Sequence, residues 1–163
     1  MRKLQMLRDH IVDALPEFKV SPERLFTYVE GGSIRFYRGA NLAHEYKAPA
    51  TISIADFSGD PDALIIPVLD WLARYQPDLD PERGVQFEME YLSNTSADLS
   101  LTVELTERVV TSRDCETGRI EVDHRVPEFP SGDCPPLKWE LYVRQPGAEE
   151  ASLVASWDSP EPA

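Results

Sequence analysis

"ADFSGDPDALIIPVLDWLARYQPDL", Ala55 to Leu79, carries a strand end, a tight turn and a long apolar helix in one run. "FSGD" is turn chemistry, with Asp60 placed to cap a helix and Pro61 at its first position, where the missing N–H does no harm. At 100° per residue, Leu64, Ile65, Val68, Leu69, Trp71, Leu72 and Tyr75 share one broad face. Pro67 stands in the helix interior, where proline usually costs about 3 kcal/mol. The wheel puts it on the outer side with Asp70 and Arg74, where a bend would curve the helix around what it covers. Ile66 projects beside the stripe. Ile66, Asp70 and Arg74 are therefore candidate contacts with a neighbour. The helix is expected to stop before Pro77.

The flanking segments read as strands. "LAHEYKAPATISIAD", 42–56, alternates with a period of two, so Tyr46, Ala48, Ala50, Ile52 and Ile54 share a face. Pro49 lacks an N–H and implies an edge position or a bulge. Downstream, "VQFEMEYLSN" and "ADLSLTVELTERVVTSR" read as strands separated by a polar turn: Phe87, Met89 and Tyr91 alternate with Glu88 and Glu90 as on a half-buried strand, and Leu99, Leu101, Val103 and Leu105 alternate in the same way. Short turns between long strands imply antiparallel pairing. Upstream, "RLFTYVEGGSIRFYR" reads as a hairpin with Gly31 and Gly32 supplying positive φ at its turn. Residues 3–15 have helical spacing, with Leu4, Leu7, Ile11, Ala14 and Leu15 on one face and Pro16 stopping or bending the end.

The segment 112–136 changes character, with Pro, Gly and charge around a brief strand signal at Gly118–Val122. The final stretch offers two short strands about a Pro-Gly turn. Their apolar anchors Trp139, Leu141, Val154 and Trp157 either complete the core or lie on a neighbouring subunit, and the loose linker favours the neighbour. The element order predicts an α+β domain: a mostly antiparallel sheet, two helices on one face, and a C-terminal arm or hairpin. Residues 1–112 form the expected core domain. Residues 113–163 form an excursion and hairpin docked on the core or on a neighbour.

The chain has 163 residues, 42% apolar and 28% charged, which suits one packed domain. No apolar run is long enough for a transmembrane helix. The N-terminus lacks a signal-peptide pattern, so a cytoplasmic chain is expected. Net charge is −13 and uneven. Residues 1–50 hold 8 Lys and Arg against 6 Asp and Glu; the rest hold 8 against 23. That balance opposes nucleic-acid wrapping. It suits either plain solubility or a dipolar subunit whose unlike patches meet head to tail.

No catalytic constellation emerges. His10, His44 and His124 are scattered, and no phosphate loop, GxSxG or HExxH occurs. "DFSGDPD" departs from a calcium loop at its sixth position, Pro61, and its twelfth, Pro67; capping explains its aspartates better. Glu88 and Glu90 read as a solvated strand face. Cys115 and Cys134 read as free thiols, with a late disulfide or an enzyme site involving His124 as alternatives. No cofactor and no metal are expected.

"DFSGDPDALIIPVLDWLARYQPDL" resembles the most recognisable segment of the tail completion protein R family of P2-type contractile-tailed phages. "MRKLQMLRDHIVDALP", "SPERLFTYVEGGSI", "EYKAPATISIADF", "LSNTSADLSLTVELTERVV" and "WELYV…LVASWD" resemble it in the same order. The resemblance implies a tail-terminator-like fold, no enzymatic activity, and a ring, typically of six copies. Such a ring would cap the tail tube and sheath at the head-proximal end of the virion tail, after assembly in the host cytoplasm. Its implied partners are itself, tube and sheath proteins and head-tail connector proteins. DNA would pass through its lumen without specific binding, and no membrane is involved. The alternative is an adaptor or terminator subunit of a headless, tailocin-like contractile particle.

Overall fold

The computed structural model describes residues 1–39, 42–126, 129 and 138–159. In chain order it has α1 (Arg2–Ala14), the short α2 (Pro16–Val20), β1 (Leu25–Val29), β2 (Ser33–Phe36), β3 (His44–Phe57), α3 (Asp62–Tyr75), β4 (Val85–Tyr91), β5 (Ala97–Arg113), β6 (Ile120–Arg125), β7 (Lys138–Val143) and β8 (Ser152–Asp158). This is the expected α+β architecture, with antiparallel strands throughout. Among the described residues no helix is long and apolar enough to cross a membrane.

β3 and β5 are the centre of the six-stranded sheet. They pair from His44↔Val109 to Ile54↔Leu99, so Ala48, Ala50, Ile52 and Ile54 lie beside Leu99, Leu101, Val103 and Leu105 on one face. These are the alternating residues of the two long strands, and all are buried. Leu7, Ile11 and Ala14 of α1 and Leu64, Val68, Trp71 and Leu72 of α3 complete that core. The other sheet face carries Thr51, Ser53, Ser100, Thr102 and Glu104, whereas the described helices contribute to the core on the first face.

The β1–β2 segment corrects the hairpin reading. β1 and β2 do not pair with each other; both pair antiparallel with the same side of β3. Val29 faces Ala50 and Ser33 faces Lys47, so three residues oppose two. "VEGGS" is thus a β-bulge in one long edge line, not a turn. Among the described glycines only Gly118 and Gly147 have positive φ, so Gly31 and Gly32 are not there for backbone handedness. Gly32 is there for space: a Cβ would stand 2.8 Å from both Lys47 O and Ala48 Cβ, whereas one on Gly31 would meet nothing within 4 Å. The bulge lies opposite Pro49, the strand residue without an N–H, so the bulge that Pro49 implied is present although β3 is interior. We expect Gly32→Val to destabilise the fold by about 1–3 kcal/mol, and Gly31→Ala to leave the thermal midpoint nearly unchanged. Thermal melts of the two variants check this.

A second irregularity ends β3. The β3–β5 register shifts between Ile54 and Phe57, and Asp56 takes φ 52°. Arg24 donates to the carbonyls of Ala55 and Asp56 at 3.1 and 2.6 Å, and the Asp98 carboxylate accepts from Asp56 N–H at 2.9 Å. The Asp56 carboxylate is therefore next to a strained corner rather than a metal loop. In the turn beyond, Asp60 Oδ1 accepts from Asp62 N–H at 3.0 Å and Asp60 O from Ala63 N–H at 2.9 Å, but the helix begins one residue later than expected, at Asp62, so Pro61 rather than Asp60 stands in the cap position. The helix stops at Tyr75.

Within α3 the buried stripe is rotated from the expected one. Ala63, Leu64, Pro67, Val68, Trp71, Leu72 and Tyr75 are buried, while Ile66, Leu69 and Ala73 are exposed. Pro67 therefore faces inward, and Leu69 leaves the core. The reason is that α3 shares the buried core with the sheet and also meets α1 and the β7–β8 hairpin.

Candidate assembly surfaces

β7 and β8 pair with Trp139 opposite Trp157 and Leu141 opposite Ala155. The hairpin packs on α1 and α3 of its own chain. Ala155 and Trp157 are buried in the main core, and Trp139, Leu141 and Val154 pack half-buried against it. Trp157 Nε1 donates to Asp70 Oδ2 at 2.9 Å. Its ring stands edge-on to His10, with centroids 6.2 Å apart. His10 Nε2 approaches Pro67 O at 3.2 Å. Pro67 is thus part of the joint between α1, α3 and the hairpin.

The candidate contact residues consequently divide. Asp70 and Arg74 are half-buried rather than exposed. Asp70 is held by Trp157. Arg74 lies 5.9 Å from the Tyr75 ring centroid, and its carbonyl accepts from Phe129 N–H at 3.0 Å. Ile66 alone among the seven is exposed, and with Leu69 and Ala73 it makes an apolar stripe on the outside of α3.

His10 gives this joint a pH dependence. Burial lowers its pKa below the ordinary 6.5, outweighing the Pro67 carbonyl and the Asp70 and Asp13 carboxylates, which raise it. The unfolded chain then binds a proton more readily than the folded one, so stability falls as pH drops below about 6.5 through the folded value. We expect urea midpoints to decrease from pH 7.5 to about 5.5, and His10→Gln to flatten that decrease.

A polar cluster at the other end of α1 was missed in the sequence. Glu107 is 1% exposed, Lys3 4% and Gln76 2%. Glu107 Oε2 accepts from the Lys3 backbone N–H at 2.8 Å, so a carboxylate from β5 caps the first turn of α1. His124 Nδ1 lies 2.5 Å from Glu107 Oε1. The Gln76 amide donates to Asp78 and Thr106 side chains at 2.7 and 2.6 Å, and accepts from Lys3 Nζ and Thr106 N–H at 2.8 and 3.2 Å. Burial lowers the Lys3 pKa; nearby Asp78, Glu107 and Glu45 oppose that. The signal was in the alternation: Glu107 follows Leu99, Leu101, Val103 and Leu105 at the same parity, a core position.

His124 is thereby occupied in a structural contact. Cys115 is exposed in the β5–β6 turn, and Cys134 lies outside the described residues. Among the described residues no group of three His, Cys, Asp or Glu side chains could hold a metal ion. The clefts are shallow and mixed in lining; one, between the β3–α3 turn and the β4–β5 turn, is bounded by Phe57, Asp60, Met89 and Tyr91. What the surface offers instead is apolar strand rims. Ile34 and Phe36 on β2 are 59% and 64% exposed, and Phe87 and Tyr91 on β4 are 64% and 77% exposed.

No solved structure matches the chain. The family model described as P2 phage tail completion protein R (GpR) matches residues 1–129. Tail completion protein R of Escherichia phage P2 is 32% identical over 163 aligned residues, covering 97% of this chain and 99% of that protein. With the family model spanning the six-stranded sheet and the helices, and the relative aligned over nearly the full length of both chains, the chain belongs to the P2 phage tail completion protein R family.

Proposed function

We propose that this protein completes a phage tail, as a structural component that associates with other tail proteins and forms a ring at the head-proximal end of tube and sheath. Kinship with a tail completion protein along nearly the full chain carries this reading. The surface supports it: hydrophobic side chains are exposed on rims and on the outside of α3, the pattern of a subunit with neighbours. Closure into a ring would stop growth, because the exposed face no longer repeats the face of the tube. The acidic balance beyond residue 50 would keep passing DNA from adhering to a lumen wall.

The test is electron microscopy of purified tail tubes mixed with the protein. The expected result is annular density at one end of each tube. Binding along the tube length, or none, would refute the reading.

A further inference from the structure

An open strand rim offers a row of unpaired backbone N–H and C=O groups, and natural sheets usually blunt such rims. This sheet has two. β1–β2 pairs β3 on one side, β4 pairs β5 on one side, and among the described residues no strand lies on the far side of either. Arg8 reaches Leu25 O at 3.3 Å at the very start of β1; beyond it the line is open. Neither rim contains proline, and both carry exposed aromatic residues.

Direction comes first. With every pairing antiparallel, β1–β2 runs with β5, and β4 runs with β3. The two rims therefore run in opposite senses. A second copy, rotated about an axis but not turned over, brings its β1–β2 line antiparallel to β4, and the alternation continues without a break.

Faces agree as well. Phe87 and Tyr91 pair with Leu101 and Ala97, which places them on the helix side of the sheet. Ile34 and Phe36 pair with Tyr46 and His44, which share the parity of Ala48 and Ala50 and so the same side. On the helix-free side β4 presents Glu88 and Glu90, and β2 presents Arg35.

Charge then decides between pairing unlike rims and pairing like ones. Residues 78–91 hold Asp78, Asp80, Glu82, Glu88 and Glu90 against Arg83. Residues 25–38 hold Arg35 and Arg38 against Glu30. No ion pair within the described chain engages Arg35, Arg38, Glu88 or Glu90. Two β4 rims set together would oppose carboxylates; β4 against β1–β2 sets them against arginines.

We propose that β4 of one subunit docks antiparallel along the β1–β2 rim of a second copy, joining the sheets into one continuous band. Aromatic residues meet on the helix side, and Glu88 and Glu90 lie on the same helix-free side as Arg35, with Arg38 two residues beyond the end of β2. This rests on the ring reading and specifies its contact. Because the two rims differ, each copy keeps one of each kind free, and only a closed ring satisfies all of them.

Two variants test it. Glu88→Arg with Glu90→Arg makes both rims basic, and Arg35→Glu with Arg38→Glu makes both acidic. Native mass spectrometry and negative-stain microscopy are run across a concentration series, alone and with purified tails. Wild type is expected to form closed rings, while each variant alone loses every species above a monomer. An equal mixture of the two is expected to restore ring-sized assemblies in which the variants alternate, which also shows that both fold. Rings from either variant alone, or mixtures that stop at dimers, would overturn the rim contact and leave the ring reading standing. A wild type that stays monomeric both alone and on tail ends would overturn both.

Discussion

Trp157→Ala should lower stability by about 3–5 kcal/mol, the range for removing a buried tryptophan side chain. For a chain of this length that is a fall of about 6–20 °C in the thermal midpoint. The indole is 6% exposed, sits in the main core and donates to Asp70. Its loss leaves a cavity between α1 and α3 and an Asp70 carboxylate without that donor. It also removes the anchor of β8, so protease cleavage between β7 and β8 should accelerate. Trp157→Phe, which keeps most of the volume and loses the N–H, should cost about 1–2 kcal/mol. Leu153→Ala, on the exposed side of the same strand, should be close to neutral. A Trp157→Ala protein that melts within about 1 kcal/mol of wild type would show that the hairpin is not held by this joint.

Glu107→Ala is expected to be of similar size, about 3–5 kcal/mol, for a different reason. It strands buried donors: the first N–H groups of α1 and the His124 ring. Glu107→Gln retains the shape and separates charge from space. Burial pushes the Glu107 carboxyl up, but the backbone N–H groups of Lys3 and Arg2, the His124 hydrogen bond and the N-terminal charge together hold it below its ordinary value of 4.5. A carboxylate depressed in the folded state contributes stability above the unfolded pKa, and that contribution is lost as pH falls below about 4.5 through the folded value. Acid unfolding followed by circular dichroism should therefore be shallower in Glu107→Gln below pH 4.5 than in wild type. The Glu107 window opens below pH 4.5, whereas that of His10 opens below pH 6.5. Identical acid limbs in the two proteins would show that Glu107 does not carry the capping charge.

The alternation of β3, β4 and β5 made the antiparallel sheet legible, because a period of two survives any choice of neighbour. "GDPDALIIPVLDWL" made α3 legible through its turn residues and its apolar run. Pairing was harder. "EGGS" has the composition of a turn, and only the far strand β3, with Pro49 opposite, makes it a bulge. The orientation of α3 was hidden for the same reason: a wheel finds an apolar face, but Pro67 is inside because α1 and the hairpin cover a second one. Trp157 read as a contact with a neighbour since nothing local says that residue 70 holds it. Glu107 was legible by parity alone, as a carboxylate in a row of leucines and valines.

The contact between His10 and Trp157 spans nearly the whole chain, and that bears on how a subunit is made. Closing a loop of this length carries an entropy penalty that is met only when both ends are present. On the ribosome, the sheet and α3 can form while the surface that receives β8 still faces water, with Trp71 and Tyr75 beside it. β8, the last of the described strands, is the one that shuts it. A chain cut short before Ser152 would keep most of its fold and expose an apolar seam between α1 and α3, which marks unfinished chains for aggregation or proteolysis.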